Sequence, residues 1–269
     1  MNRDALADFP DETSPFIEQF VRDLADVTDA IRHAYVHGSL TMGGFHPRQS
    51  DVDLLLVSDR DLSDAERLGL MNLCLATSTQ PYPLELTVMT ERALREWVHP
   101  SPFEFHYSEQ WRSRLEEATI DELLREQRGM TDPDVAAHLN VIMERGCVLF
   151  GAPLQELLVG FEEAHYVEAI KDDALDCLSS LDNHPVYSVL NLVRVMAYET
   201  DGRVLAKREV LEWAKRQSIP SDLLHVIEKA AAAYAGEDST FSRSELIDFY
   251  IFANERLFPY EEDMDELES

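Results

Sequence analysis

HGSLTMGGFHPRQSDVDLLLV, residues 37–57, is the stretch on which the reading of this chain turns. Its second half sets two acids, Asp51 and Asp53, at the mouth of an apolar run, DVDLLLVS (51–58). In a strand, residues two apart point to one face, so the two carboxylates aim at one spot while Val52 points away. Carboxylates that close repel, and each raises the other's pKa unless a cation intervenes. Mg²⁺ suits such a pair, because it takes one or two carboxylates and completes its shell with phosphate oxygens. The first half supplies the phosphate end. A strand HAYVHG (33–38) closes on Gly38, and a helix is predicted to open near Ser39. Free N–H groups at a helix start favour anions, and Ser39 and Ser50 add hydroxyl donors.

A third strand, PLELTVM (83–89), alternates around Glu85. Beside strand 51–58, Glu85 reaches the same pocket. A glutamate among apolar neighbours is costly unless it binds metal or accepts a proton. On an edge strand it would simply face solvent.

The rest of the first half follows from periodicity. Residues 14–31 carry apolar side chains at helical spacing, with Ser14 read as the cap and Pro15 at the first helical position. Residues 62–77 form a helix opened by the capping box Ser63–Glu66. Phe103, Phe105 and Tyr107 alternate, as in a short strand. After about residue 130 the pattern turns helical: a helix from Asp132 or Asp134, then runs near 163–182, 185–200, 207–217, 221–235 and 242–257. No strand pattern is read there. The expected architecture is α+β: a nucleotide-handling domain at 1–152, a linker near GAP (151–153), and an all-α bundle at 153–269 ending in a frayed acidic tail.

Composition narrows the class. The 269 residues are 45% hydrophobic, enough for a core, and no run approaches a membrane span. MNRDALADFPDE shows no basic stretch before an apolar core, so a cytoplasmic protein is expected. Cys74, Cys147 and Cys177 are far apart and read as buried reduced thiols. With 52 Asp and Glu against 23 Lys and Arg, the net charge is −29. That surface repels nucleic acid and anionic membranes and suits a cationic substrate; it equally suits solubility in a salty cytoplasm.

The spacing of GS, then SDVDLLLV, resembles the polymerase-β-like nucleotidyltransferases. DPDVAAHLNVIMERGCVLFGAP, PVYSVLNLVRVMAYETDGRVLAKREVLEWA and the Glu85 strand narrow the resemblance to the aminoglycoside (3″)(9) adenylyltransferases, which act on spectinomycin and streptomycin. The resemblance spans about residues 30–235. It implies a polymerase-β-like N-terminal domain and a helical C-terminal one. It implies Asp51, Asp53 and Glu85 as metal ligands, Glu85 also as catalytic base, and Ser39 and Ser50 as triphosphate contacts. Asp134, Arg194 and Lys207 would meet the nucleotide, and Trp111 would pack on the antibiotic. Each of these last four has a plain structural alternative: Asp134 and Lys207 as helix caps, Arg194 satisfied by an internal acid, Trp111 as core. The loop LSSLDNHPVY (180s) departs from streptomycin-handling members: it has no Trp and offers only Asp182 and His184, which favours spectinomycin. GGFHPRQS is also slightly longer than in familiar members.

The expected activity is Mg²⁺-dependent transfer of AMP from ATP, held between the domains, to a hydroxyl of a cationic aminocyclitol, by a monomer. The alternatives are adenylylation of a protein or of another small molecule, and a catalytically idle nucleotide binder. His37, His46 and His138 lack metal spacing and read as structural or solvated.

Overall fold

A computed structural model describes residues 6–7, 9–10, 12–47, 50–115 and 118–259. The acidic tail lies outside the described residues. The chain forms two compact units, 1–169 and 170–269.

The first unit opens with α1 (Thr13–Val27), β1 (Ile31–His37) and a single turn, α2 (Gly38–Thr41). Then come β2 (Val52–Ser58), α3 (Asp64–Thr77), β3 (Leu84–Thr90), α4 (Glu91–Arg95), β4 (Ser101–Pro102) and β5 (Phe105–Tyr107). It continues through α5 (Glu109–Arg114), α6 (Ile120–Gln127), β6 (Thr131–Asp132), α7 (Asp134–Arg145), β7 (Cys147–Phe150) and α8 (Leu154–Leu157). The main sheet runs β5-β3-β2-β1-β7, and β4 pairs with β6 separately. β2 and β3 are parallel, joined across α3; the other neighbours are antiparallel.

The pleat sorts the side chains into two layers. Val36, Leu54, Leu56, Leu84, Leu86 and Val88 face a core completed by α1 and α3 through Phe20, Leu24, Leu70 and Met71. Tyr35, Leu55, Val57 and Met89 face the other way, onto Val135, Leu139 and Ile142 of α7. Helix α7 therefore covers the face that also carries Asp53 and Glu85.

Several expectations are corrected. Ser14 does not cap α1: the helix starts at Thr13, and the Ser14 hydroxyl donates to the Leu6 carbonyl. Ile31 begins β1 instead of ending α1. Strands do recur after residue 130, because Cys147–Phe150 adds to the free edge of β1 as β7, and Thr131–Asp132 pairs with β4. A four-residue edge strand after a helix carries too little pattern to be read. Residues 151–153 run from β7 to α8, and the two compact units divide at 169/170. The Ser63–Glu66 capping box is present as expected, and Glu66 also accepts from Thr28 and Arg60. The cysteines are unbridged: Cys74 and Cys177 are buried, but Cys147 is only half-buried. Burial pushes the Cys177 thiol up to about 12.

The second unit is all helix. Helix α9 (Glu163–Ser180) leads into it, followed by α10 (Pro185–Asp201), a 3-10 turn at Lys207–Glu209, α11 (Val210–Ala214), α12 (Ser221–Tyr234) and α13 (Arg243–Leu257). Pro185 at the first position and left-handed Gly202 after the end bound α10. Leu190, Val193 and Ala197 of α10 are fully buried, as are Ile227 of α12 and Phe249 of α13.

Candidate active site

Three neighbouring strands bring their chemistry into one row. His37 of β1 pairs with Asp53 of β2, and Asp53 pairs with Glu85 of β3. Residues paired across a sheet share a face, so the three side chains stand side by side. The register is set by the apolar residues between them, since a one-residue slip would bury the acids in the core.

Gly38 follows immediately. Its φ is +65°, in the left-handed region that favours glycine, and an added Cβ would fall 1.8 Å from Oδ2 of Asp53. The backbone turn at Gly38 thus packs directly on the Asp53 carboxylate. The next residue, Ser39, has a buried hydroxyl with no hydrogen-bond partner among the described residues. Such a group costs about 1–3 kcal/mol until something pairs with it. Ser50 is buried, and its hydroxyl oxygen accepts from the His46 N–H at 3.0 Å. Asp51 stands just before β2, half-buried like Asp53. α2 opens where the sequence places a helix start and is one turn long.

Two histidines that read as structural lie at this row. His37 is 5% exposed, and its imidazole is held neutral by burial and by His138. His138, one turn into α7, sets its ring 5.0 Å from that of His37, tilted by 44°, and its Nε2 3.9 Å from Oε1 of Glu85. On the other side, His106 of β5 places Nδ1 3.1 Å from the Thr87 hydroxyl. Burial lowers its pKa, while Glu85 pulls it the other way. The contact between residues 85 and 138 joins a strand to a helix far along the chain, which no local pattern encodes; the hint available was that His37 adjoins the GS pair.

Asp134 is exposed at the first position of α7; it does not cap the helix, and Asp132 accepts from its N–H at 2.9 Å. Trp111 is 8% exposed and sits in the core on the sheet face opposite Asp53 and Glu85, with Arg114 4.7 Å above its ring. The packing thus gives Trp111 a core role.

In the second unit, Arg194 donates to the Leu205 carbonyl at 2.7 Å and to Asn191 at 2.8 Å. Lys207 lies 4.3 Å above the Tyr187 ring. Both act on the Asp173 carboxyl, whose pKa burial raises against their pull. Asp182 and His184 are exposed in the turn between α9 and α10.

The donors suit Mg²⁺ in kind. Asp53 and Glu85 are hard oxygen ligands on paired residues, and Mg²⁺ needs only one or two carboxylates beside phosphate oxygens. Among the described residues no group of three or more His, Cys, Asp or Glu is arranged to hold a metal by itself.

The fold that carries this acid row and glycine turn has a solved counterpart. The structure overlays on a crystal structure of spectinomycin adenylyltransferase AAD(9) from Enterococcus faecalis with ATP and spectinomycin, with a TM-score of 0.72, 22% identity, and 91% of this chain and 98% of that one covered. Residues 156–253 match the family model of the aminoglycoside adenylyltransferase C-terminal domain. In sequence the chain is 28% identical over 225 residues to a spectinomycin 9-adenylyltransferase of Staphylococcus aureus, covering 81% of this chain and 83% of that one. It is 26% identical over 235 residues to an aminoglycoside (3″)(9) adenylyltransferase of Klebsiella pneumoniae, with the same coverage. The family that the sequence motifs resemble is thus the one the comparisons return. No described helix is long and apolar enough to cross a membrane.

Proposed function

We propose that this chain transfers AMP from ATP to a hydroxyl of an aminocyclitol antibiotic, with spectinomycin the favoured acceptor. The observation that carries the reading is the pairing of Asp53 with Glu85 across parallel strands, with the Gly38 backbone packed on the Asp53 carboxylate. The names of the relatives support the reaction class.

Asp51 and Asp53 would hold Mg²⁺, with Glu85 at its edge. The ion, when bound, offsets the negative charge of the phosphates during transfer. The partnerless hydroxyl of Ser39 is suited to donate to a phosphate oxygen. Ser50, whose oxygen accepts from the His46 N–H, is assigned with Ser39 to the triphosphate through its O–H. Glu85 takes the proton of the acceptor hydroxyl. The oxygen then forms its bond to the α-phosphorus as the α–β anhydride bond breaks and pyrophosphate departs. Most of the acceleration comes from holding the reactants in line and compensating charge.

Arg194 and Lys207 are assigned to the nucleotide, Asp134 to its surroundings, and Asp182 and His184 to the acceptor. Trp111 is left out, because it packs in the core. The functional division at 152/153 is supported by the start of the matched C-terminal family region at residue 156. The excess of acids favours a cationic acceptor.

The test is the intact mass of spectinomycin, streptomycin and kanamycin after incubation with the protein, ATP and Mg²⁺. A gain of one AMP on spectinomycin is expected. A gain on none, with ATP still bound, overturns the antibiotic assignment.

A further inference from the structure

His138 has no part in the reaction proposed above, yet its position is unusually well determined. Its backbone is fixed on both sides, because Val135, Leu139 and Ile142 of α7 are locked into the apolar layer beneath. Its ring is backed by His37, which is itself buried and paired with Asp53 in the strand row. Beside that support, Nε2 of the ring lies 3.9 Å from Oε1 of Glu85. The side chains of His138 and Glu85 are 26% and 28% exposed, so this contact lies open to a ligand.

Glu85 needs such a partner. A glutamate has three side-chain torsions, the last of them soft, and a base must aim one lone pair at the proton it takes. On its own strand its flanking residues, Leu84 and Leu86, point to the opposite layer and offer no donor. Thr87, next on the same face, is occupied with His106. His106 also feels the Glu85 charge, but its Nδ1 is engaged with Thr87; His138 brings Nε2 to 3.9 Å from Oε1 of Glu85. Catalytic hydrogen bonds are often long in the unliganded state and tighten on binding, and a small torsional change closes 3.9 Å to bonding distance.

We propose that His138 is a positioning residue: it holds one oxygen of Glu85 through Nε2–H, leaving the other to face the acceptor hydroxyl, with His37 wedged behind as the stop for its ring. This rests on the assignment of Glu85 as the base.

Two variants test it. His138→Leu keeps bulk but removes the donor; His138→Gln places an amide N–H near the former Nε2. Leu is expected to lower kcat for AMP transfer about 10- to 100-fold, as losses of supporting partners commonly do, with KM for ATP changed less than about two-fold. Gln is expected to restore most of that loss. A Leu variant with full kcat, or a Gln variant no better than Leu, overturns the proposal. A second readout needs no activity. Nitrogen NMR of the full chain labelled in histidine is expected to show His138 as the Nε2–H tautomer, with a resonance that moves in Glu85→Gln. An Nδ1–H tautomer, or a resonance indifferent to Glu85→Gln, overturns it. If the wild-type chain transfers AMP to no acceptor, the functional assignment fails while the NMR result still decides the contact.

Discussion

Gly38 and Asp53 leave each other no space: a Cβ on Gly38 would sit 1.8 Å from Oδ2 of Asp53 and 2.7 Å from its carboxyl carbon. Both the backbone conformation and the neighbour forbid a side chain. Gly38→Ala is therefore expected to cost about 1–3 kcal/mol from the left-handed φ alone, and to push the carboxylate out of its row. A displacement near 1 Å in a reacting group costs on the order of 100-fold in rate. Thermal unfolding and single-turnover AMP transfer would show both losses; a variant with normal turnover would remove the Gly38–Asp53 contact from the mechanism.

Asp53→Asn and Glu85→Gln change charge without changing shape. Both side chains are half-buried and neither builds the core, so both variants are expected to unfold at nearly the wild-type temperature. Turnover should fall by about 10²–10⁴, the range of a lost general base or charge. Circular dichroism melts paired with product mass measure the two effects separately. Undiminished turnover in Glu85→Gln would exclude it as the base.

Glu66 carries an unusual number of bonds. It accepts from the Ser63 N–H and hydroxyl, from Thr28 at 2.6 Å, and from both terminal nitrogens of Arg60 at 2.9 Å. It thereby closes the capping box of α3 and ties that helix to the turn before β1. Glu66→Ala leaves the Ser63 cap on the residue 66 N–H but removes the return half of the capping box and the tie to Thr28 and Arg60, so a loss of about 1–2 kcal/mol in unfolding free energy is expected from denaturant titration. A loss below about 0.5 kcal/mol would mean that water replaces the carboxylate freely.

Acid should loosen the second unit through Glu245. Bonding to Lys229 and to Ser242 at the start of α13 holds its carboxyl down at about 2. A folded-state pKa below the unfolded one adds stability above the unfolded value, near 4.5, and that stability disappears as pH falls toward 2. Unfolding midpoints measured from pH 6 to pH 2 should decline across that window. In Glu245→Gln, which keeps a capping side chain, part of the decline should vanish. An identical slope in both proteins would show that Glu245 does not couple to folding.

How much of this was readable beforehand depended on range. DVDLLLV, PLELTVM and the Ser63–Glu66 box are local patterns, and each produced the element expected of it. The pairing of Asp53 with Glu85 was also legible, because two parallel strands bridged by a helix admit few registers once the apolar residues must face the core. Trp111 was not: nothing in EQWRSR says which side of the sheet its ring will meet. β7 was missed because four residues cannot show a period. His138 escaped because its relation to Glu85 exists only after α7 has folded across the sheet.

The row His37, Asp53, Glu85 gives the chain a rule of parity. On each strand the odd member stands in the row, and its even neighbours, Val36, Leu54 and Leu86, serve the core. Residues can be added or lost in the connection 42–50 without touching that rule, because the strands re-pair by their apolar sides. One residue gained inside β2 would exchange the roles outright, turning an acid into the core and a leucine into the pocket. Descendants of this chain are thus free to lengthen the connection before β2, while the strands beside it can change only in kind and not in count.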